Sequence, residues 1–298
     1  MGPRRVLVTG CSSGIGLAVA ARLAKDELRR FEVVATMRDL RKRGPLEKAA
    51  GDSLNKTLEI KQLDACCEAS IRECVNSLPD RRISLQAHND IGYSAVTVNN
   101  AGVGMIGPLE CQSIDAMKNL FDTNFFGLAR LVKELLPDMK RRQSGHIVVM
   151  SSVMGIQGAF VCVREIAEEE RTTLVEPGPV VTEFERKVLE DAEKMDLSGT
   201  DEETAKIFRE VYLPYSKKIF SSLGQTPEEQ TIKVITAKEP PLRHQTNRLY
   251  MPMTALKHAD PTGRLPLDTF YKMIFKHDSV FNATLGVLRM LQRGAGKK

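Results

Sequence analysis

Eight residues near the start of the chain are the first with chemistry in their spacing. Thr9-Gly10-Cys11-Ser12-Ser13-Gly14-Ile15-Gly16 follow the short apolar run Val6-Leu7-Val8 and open an amphipathic stretch. Glycines at 10, 14 and 16 permit a tight turn and a close backbone approach. A helix N-terminus behind them offers N–H groups and a positive dipole end to a pyrophosphate. An ordinary β–α turn explains the glycines alone equally well. The strand before them and the helix after them favour the dinucleotide reading.

Cofactor choice falls at the end of the second apolar run, Ala35-Thr36-Met37-Arg38-Asp39. Arg38 suits a 2′-phosphate, with Ser12 as a nearby hydroxyl, and favours NADP(H). Asp39 is the competing reading, as a ribose acceptor for NAD. Arg38 also reads as one solvated charge in a run with Arg41, Lys42 and Arg43.

The elements that must position these residues alternate. Val6–Thr9, Phe31–Thr36, Leu58–Leu63, Ala95–Val98, His146–Met150 and Thr172–Val175 read as strands. Residues 15–29 and 113–140 read as helices. Continuous apolar strands alternating with helices predict an α/β fold with a doubly wound parallel sheet of Rossmann type. Residues 1–190 are expected to form the dinucleotide-binding core. Residues 191–298 are expected to form a substrate lid and C-terminal helical extension of the same single domain.

Composition bounds the rest. The chain has 298 residues, 42% hydrophobic and 27% charged, which suits a soluble protein of one large α/β domain or two small ones. A net charge of +5, spread along the chain, gives no case for nucleic acid. The six cysteines show no metal-ligand spacing, and no metal is expected. No secretory signal and no run of about 18 apolar residues is evident, so a cytoplasmic location is expected. Near the C-terminus Phe281, Leu285, Leu288 and Leu291 recur at helical spacing among Arg289, Arg293, Lys297 and Lys298. Such a stretch packs on its own domain or lies on an anionic membrane surface.

Together the motifs resemble the short-chain dehydrogenase/reductase family, in its subgroup acting on retinoids and 17β-hydroxysteroids. The resemblance rests on the glycine motif, Leu63-Asp64, Asn99-Asn100-Ala101-Gly102, Asp122-Thr123-Asn124-Phe125-Phe126-Gly127, Ser151-Ser152 and Pro177-Gly178-Pro179-Val180-Val181-Thr182. It covers nearly the whole chain. It implies that Asp64 contacts the adenine ring and that Asn100, Ala101 and Gly102 support the cofactor. Asn124 would anchor a water relay, Ser152 would polarise the substrate oxygen, and Pro177, Gly178, Val180 and Thr182 would close over the nicotinamide. The reaction implied is hydride transfer to or from a small lipophilic carbonyl or alcohol, a retinoid or steroid. Peripheral membrane contact and a homodimer are implied as well.

One part of the family pattern is missing. The resemblance implies a Tyr-x-x-x-Lys pair shortly after Ser152, in which Tyr transfers the proton and Lys lowers its pKa. Val153 to Arg171 contains neither residue type. Four residues after Tyr93, Tyr212, Tyr215, Tyr250 and Tyr271 stand Thr97, Ser216, Ile219, Thr254 and Phe275. The helix after strand five is therefore expected to be short, and the dimer face with it disrupted. Glu165, Glu168, Glu169 and Glu170 read as a solvated acidic face and not as substitutes. Residues 83–94 and 159–171 read as departures arising from splicing or a faulty gene model. Turnover is expected to be very slow or nil.

Overall fold

The computed structural model describes residues 3–78, 95–153, 171–225, 231–247, 251–260 and 262–275. Residues 83–94 and 159–170, with Cys162 and the four glutamates, lie outside that set. So do the expected short helix after strand five and the basic C-terminal stretch.

Seven strands form one sheet in the order β3-β2-β1-β4-β5-β6-β7. They are β1 (Arg4–Val8), β2 (Phe31–Met37), β3 (Leu58–Gln62), β4 (Ala95–Asn99), β5 (His146–Met150), β6 (Arg171–Glu176) and β7 (Arg243–Gln245). Every pairing is parallel. The expected doubly wound sheet is present. The seventh strand was not anticipated, because its Arg243-His244-Gln245 is too short and too polar to show as an apolar run.

Both faces are covered, which explains the near-continuous apolar strands. Val6, Val8, Val33, Ala35, Val96 and Val98 pack on one side with Val19 and Leu23, which belong to α1 (Gly14–Ala24). Leu7 and Val34 point the other way, onto Ile71, Val75 and Leu131. Those three lie on α3 (Glu68–Asn76) and α5 (Gly127–Arg142). Between β2 and β3 lies α2 (Gly44–Ala50). The alternation along β1 follows the two-residue period of a strand.

Two helices differ from expectation. Residues 15–29 were expected to be helical, but α1 ends at Ala24. The Asp26 carboxylate accepts the Arg30 backbone N–H at 3.0 Å and Arg29 adopts φ +49°, which turns the chain into β2. The helix expected over 113–140 is α4 (Ile114–Phe121), a π turn (Asp122–Phe126) and α5. Thr123 Oγ1 donates to the Asn119 carbonyl at 3.1 Å, a side-chain bond that competes with the helical ladder where the π turn begins.

Beyond β6 come α6 (Glu183–Glu193), α7 (Glu202–Ile207), a second π turn (Phe208–Tyr212), α8 (Leu213–Leu223) and α9 (Ile232–Thr236). After β7 come α10 (Met251–Ala259) and α11 (Arg264–Phe275). Ala192, Leu197, Phe208 and Leu213 form a separate small core here. Among the described residues, no helix is long and apolar enough to cross a membrane.

Candidate functional site

The sheet order reverses between β1 and β4, and open α/β sheets bind ligands at the carboxyl ends of strands there. The glycine turn sits at that point. Gly10 and Gly14 adopt φ +71° and +60°, where L side chains are strained. A Cβ on Gly10 would lie 2.8 Å from Ala101 Cα. One on Gly16 would lie 2.4 Å from Asn100 Nδ2 and 2.5 Å from the Gly10 oxygen. Ser13 is the N-cap of α1 in extended conformation and makes no side-chain cap bond. The first-turn amides therefore have no acceptor from the cap, which suits an anion.

Thr9 and Asn100 lock this turn to β4. Thr9 Oγ1 accepts the backbone N–H groups of Asn100 and Ala101, both at 3.0 Å. Asn100 Nδ2 donates to the carbonyls of Thr9 at 2.9 Å and Gly10 at 3.3 Å. The glycine motif and the Asn100-Ala101-Gly102 segment thus form one hydrogen-bonded unit.

Beside it lies an open cleft of about 610 Å³ lined by Ser12, Arg38, Asp39, Arg41, Lys42 and Gln62. Arg38 is exposed in it, and Gln62 Nε2 donates to its carbonyl at 3.1 Å. Asp39 caps the 3-10 turn Leu40–Lys42. One carboxylate oxygen accepts the Arg41 backbone N–H at 3.0 Å and Arg41 Nε at 2.9 Å; the other accepts Arg41 Nη2 at 3.0 Å. The Arg41 guanidinium holds the Asp39 carboxyl below the usual carboxylate range. Both Asp39 oxygens therefore carry a contact from Arg41. Sequence reasoning treated Arg41 and Lys42 as solvated charges; the Asp39–Arg41 spacing, an Asx cap, was the available signal.

Asn124 faces the loop after β4. Its Oδ1 accepts the Val103 N–H and its Nδ2 donates to the Val103 carbonyl, both at 2.8 Å. Gly102 lies beside it, since a Cβ there would stand 3.4 Å from Asn124 Oδ1. Ser152 sits past β5, held by bonds on either side: Ser151 N–H to the Val175 carbonyl at 2.8 Å and Val153 N–H to the Pro177 carbonyl at 3.0 Å. Asp64 stands past β3, where its Oδ1 accepts the Cys66 N–H at 3.0 Å. Ser152, after β5, adjoins the central unit at β4, and Asp64 follows the edge strand β3.

The segment Pro177–Thr182 returns to the glycine turn. A Cβ on Gly14 would lie 3.4 Å from Thr182 Cβ and Cγ2, so Thr182 covers that glycine. Gln225 N–H donates to the Pro179 carbonyl at 2.9 Å and its carbonyl accepts Val181 N–H at 3.0 Å, clamping the segment. Glu185 Oε1 accepts the Val180 N–H at 2.7 Å. Burial pushes the Glu185 carboxyl up to about 7, against the opposing pull of that bond. A half-buried ion pair anchors the segment's origin: Arg243 Nη2 meets Glu176 Oε1 at 2.5 Å. Sequence reasoning missed Glu176, Arg243, Glu185 and Gln225, whose partners lie on distant elements or depend on the fold.

Known proteins are similar to this chain along most of its length. The short chain dehydrogenase family model matches residues 4–164. Retinol dehydrogenase 8 of Bos taurus is 46% identical over 307 residues, covering 96% of this chain and 95% of that protein. The 17-beta-hydroxysteroid dehydrogenase type 1 of Homo sapiens is 35% identical over 293 residues, covering 91% and 85%. Among solved structures, the closed form of a serine dehydrogenase complexed with NADP+ superposes with a TM-score of 0.56 at 25% identity, covering 81% of this chain and 93% of that one. A parallel seven-stranded sheet, a glycine turn at its switch point and similarity along nearly the whole length lead to one family: the chain is a member of the short-chain dehydrogenases.

Proposed function

We propose that this chain binds NADP(H) and derives from dehydrogenases of retinoids or 17β-hydroxysteroids, but turns over very slowly or not at all. The cleft beside the glycine turn carries the cofactor choice. Arg38, Arg41 and Lys42 bring three cations there, and the one carboxylate, Asp39, is already paired with Arg41. That charge balance favours a 2′-phosphate. The glycine cradle fits a pyrophosphate, since any Cβ at Gly10 or Gly16 would collide with the turn. Bound there, the nicotinamide would supply or accept a hydride.

The chain's own residues support orientation more than proton transfer. In this reading Ser152 orients a substrate oxygen, and Asn124 holds the loop after β4 through its two bonds to Val103. Between β5 and β6 the chain offers neither Tyr nor Lys. Positioned acid–base groups contribute about 10²–10⁴-fold to rate. A serine hydroxyl alone is a poor replacement.

The relatives' names indicate a lipophilic substrate, retinoid or steroid. Such substrates partition into membranes, which favours peripheral membrane contact through the basic stretch at 281–298. We assign residues 1–190 to the cofactor core and 191–298 to the lid and C-terminal extension of the same domain; the cluster around Phe208 joins the two parts, since Ile106, Cys111 and Leu189 pack against it. A second reading, a non-catalytic cofactor-binding variant from splicing or a faulty gene model, is favoured by the intact cradle beside the missing pair. Titration with NADPH followed by turnover of all-trans-retinal and estrone tests both. Binding with family-level turnover contradicts the account of activity, binding alone supports it, and no binding contradicts the cofactor assignment.

A further inference from the structure

The Arg41 guanidinium lies against both carboxylate oxygens of Asp39 at the rim of the cleft that holds Ser12 and Arg38. Left to itself, Asp39 would present a carboxylate to whatever entered. It would accept from a ribose hydroxyl and repel a 2′-phosphate. We propose that Arg41 is a cofactor-specificity residue, which acts by occupying Asp39 and so suppresses binding of the unphosphorylated dinucleotide. The inference rests on the NADP(H) reading above.

The pair does not serve the turn alone. The Arg41 backbone N–H already gives Asp39 its cap bond at 3.0 Å, and that bond needs no particular side chain at position 41. The side-chain contacts add a bidentate grip on a group facing the cleft. Arg41 is itself 91% exposed and Asp39 29% exposed. The grip is therefore worth little to folding, and its consequence falls on what the carboxylate is free to do. Among the described residues neither Arg38 nor Lys42 forms an ion pair with a carboxylate, although the Lys42 charge adds a smaller pull on Asp39 than Arg41 does. Both keep their side-chain donors for a phosphate, while Arg41 holds the one opposing carboxylate by direct hydrogen bonds.

The test measures dissociation constants for NADPH and NADH from the emission of the reduced nicotinamide, since the chain has no Trp to report binding. Four proteins are compared: the full chain, Arg41→Gln, Asp39→Asn and the double variant. Gln keeps the backbone cap, and Asn is as good a cap as Asp. Arg41→Gln is expected to bind NADH about fivefold more tightly than the parent, the scale of an exposed pair. It is expected to bind NADPH more weakly. The double variant is expected to lose the NADH gain. Loss of a phosphate contact alone weakens NADPH without improving NADH, so the NADH arm carries the inference. An Arg41→Gln protein that binds NADH no better than the parent overturns it, as does a double variant that keeps the gain. A parent chain without preference for NADPH overturns the NADP(H) reading and this inference together. A parent that prefers NADPH, with unchanged NADH binding in Arg41→Gln, overturns the inference alone.

Discussion

Asn100 reaches from the end of β4 to the Thr9 and Gly10 carbonyls, while Thr9 Oγ1 accepts the N–H groups of Asn100 and Ala101. The reciprocal bonds make the glycine turn and the segment after β4 a single rigid piece. The cradle proposed for the dinucleotide phosphates is built on that junction.

Replacing Thr9 by Val keeps the shape and removes the acceptor. Two backbone N–H groups then lose their partner where Thr9 is 3% exposed. A buried donor left unpaired costs about 1–3 kcal/mol. Thr9→Val is expected to lose about 2 kcal/mol in urea unfolding and to weaken NADPH binding. Thr9→Ser, which keeps the hydroxyl, is expected to stay close to the parent on both counts. Equal behaviour of the two variants would remove the hydroxyl from the account.

Two glycine substitutions are expected to behave oppositely. A Cβ on Gly16 meets Asn100 Nδ2 at 2.4 Å and the Gly10 oxygen at 2.5 Å, so Gly16→Ala should disrupt the cradle and abolish measurable NADPH binding. Gly44, the first residue of α2, has nothing within 4 Å of the same position. Gly44→Ala should leave binding unchanged and stabilise the fold by about 0.4–1 kcal/mol. Nucleotide titration and thermal melts of both variants decide it.

Arg38→Ala should cut NADPH affinity by at least about tenfold while changing NADH affinity little, since charge-assisted bonds are worth about 1.5–3 kcal/mol. The preference should also shrink as salt rises, because Arg38 is exposed and screened. Parallel titrations at low and high ionic strength provide the check. Equal losses for both nucleotides would place the 2′-phosphate elsewhere.

The pH dependence of stability should carry the signature of His146. Burial first, then Arg171 and Arg4, lower its pKa to about 4. Thr173 Oγ1 donates to the Pro241 carbonyl at 2.8 Å, so His146 Nε2, 3.0 Å from that oxygen, is the donor to it. The unfolded chain binds this proton near pH 6.5. Between pH 6.5 and 4 the unfolded state holds more protons, so stability falls with pH by up to about 1.4 kcal/mol per unit. Glu185 runs the other way, because its raised pKa makes the folded state hold the extra proton between its ordinary value and about 7. Subtracting the curve of His146→Asn from that of the parent isolates the histidine. A difference that is flat from pH 7 to 4 would contradict the assignment.

The strands and the glycine turn were legible because their signals are local: apolar runs, and glycines between a strand and a helix. That Arg38 and Ser12 share one cleft was legible for the same reason, since they stand at the ends of neighbouring elements. The Glu176–Arg243 pair and the Gln225 clamp were not, since each joins residues far apart in the chain. β7 was hidden by its brevity and polar composition. The π turn at Asn124 was invisible in periodicity, because the extra residue is absorbed inside one long amphipathic pattern. The Arg41 contact to Asp39 was not legible either, because it depends on a turn conformation that composition does not reveal.

The central claim is a chain that holds its cofactor and cannot complete proton transfer. The most direct measurement is the rate of NADPH oxidation with all-trans-retinal, on a preparation whose NADPH binding has first been shown to saturate. The account predicts saturable binding with oxidation no faster than about one-hundredth of an ordinary enzymatic turnover of roughly 10 s⁻¹. Turnover at that ordinary rate, at saturating cofactor, would contradict it.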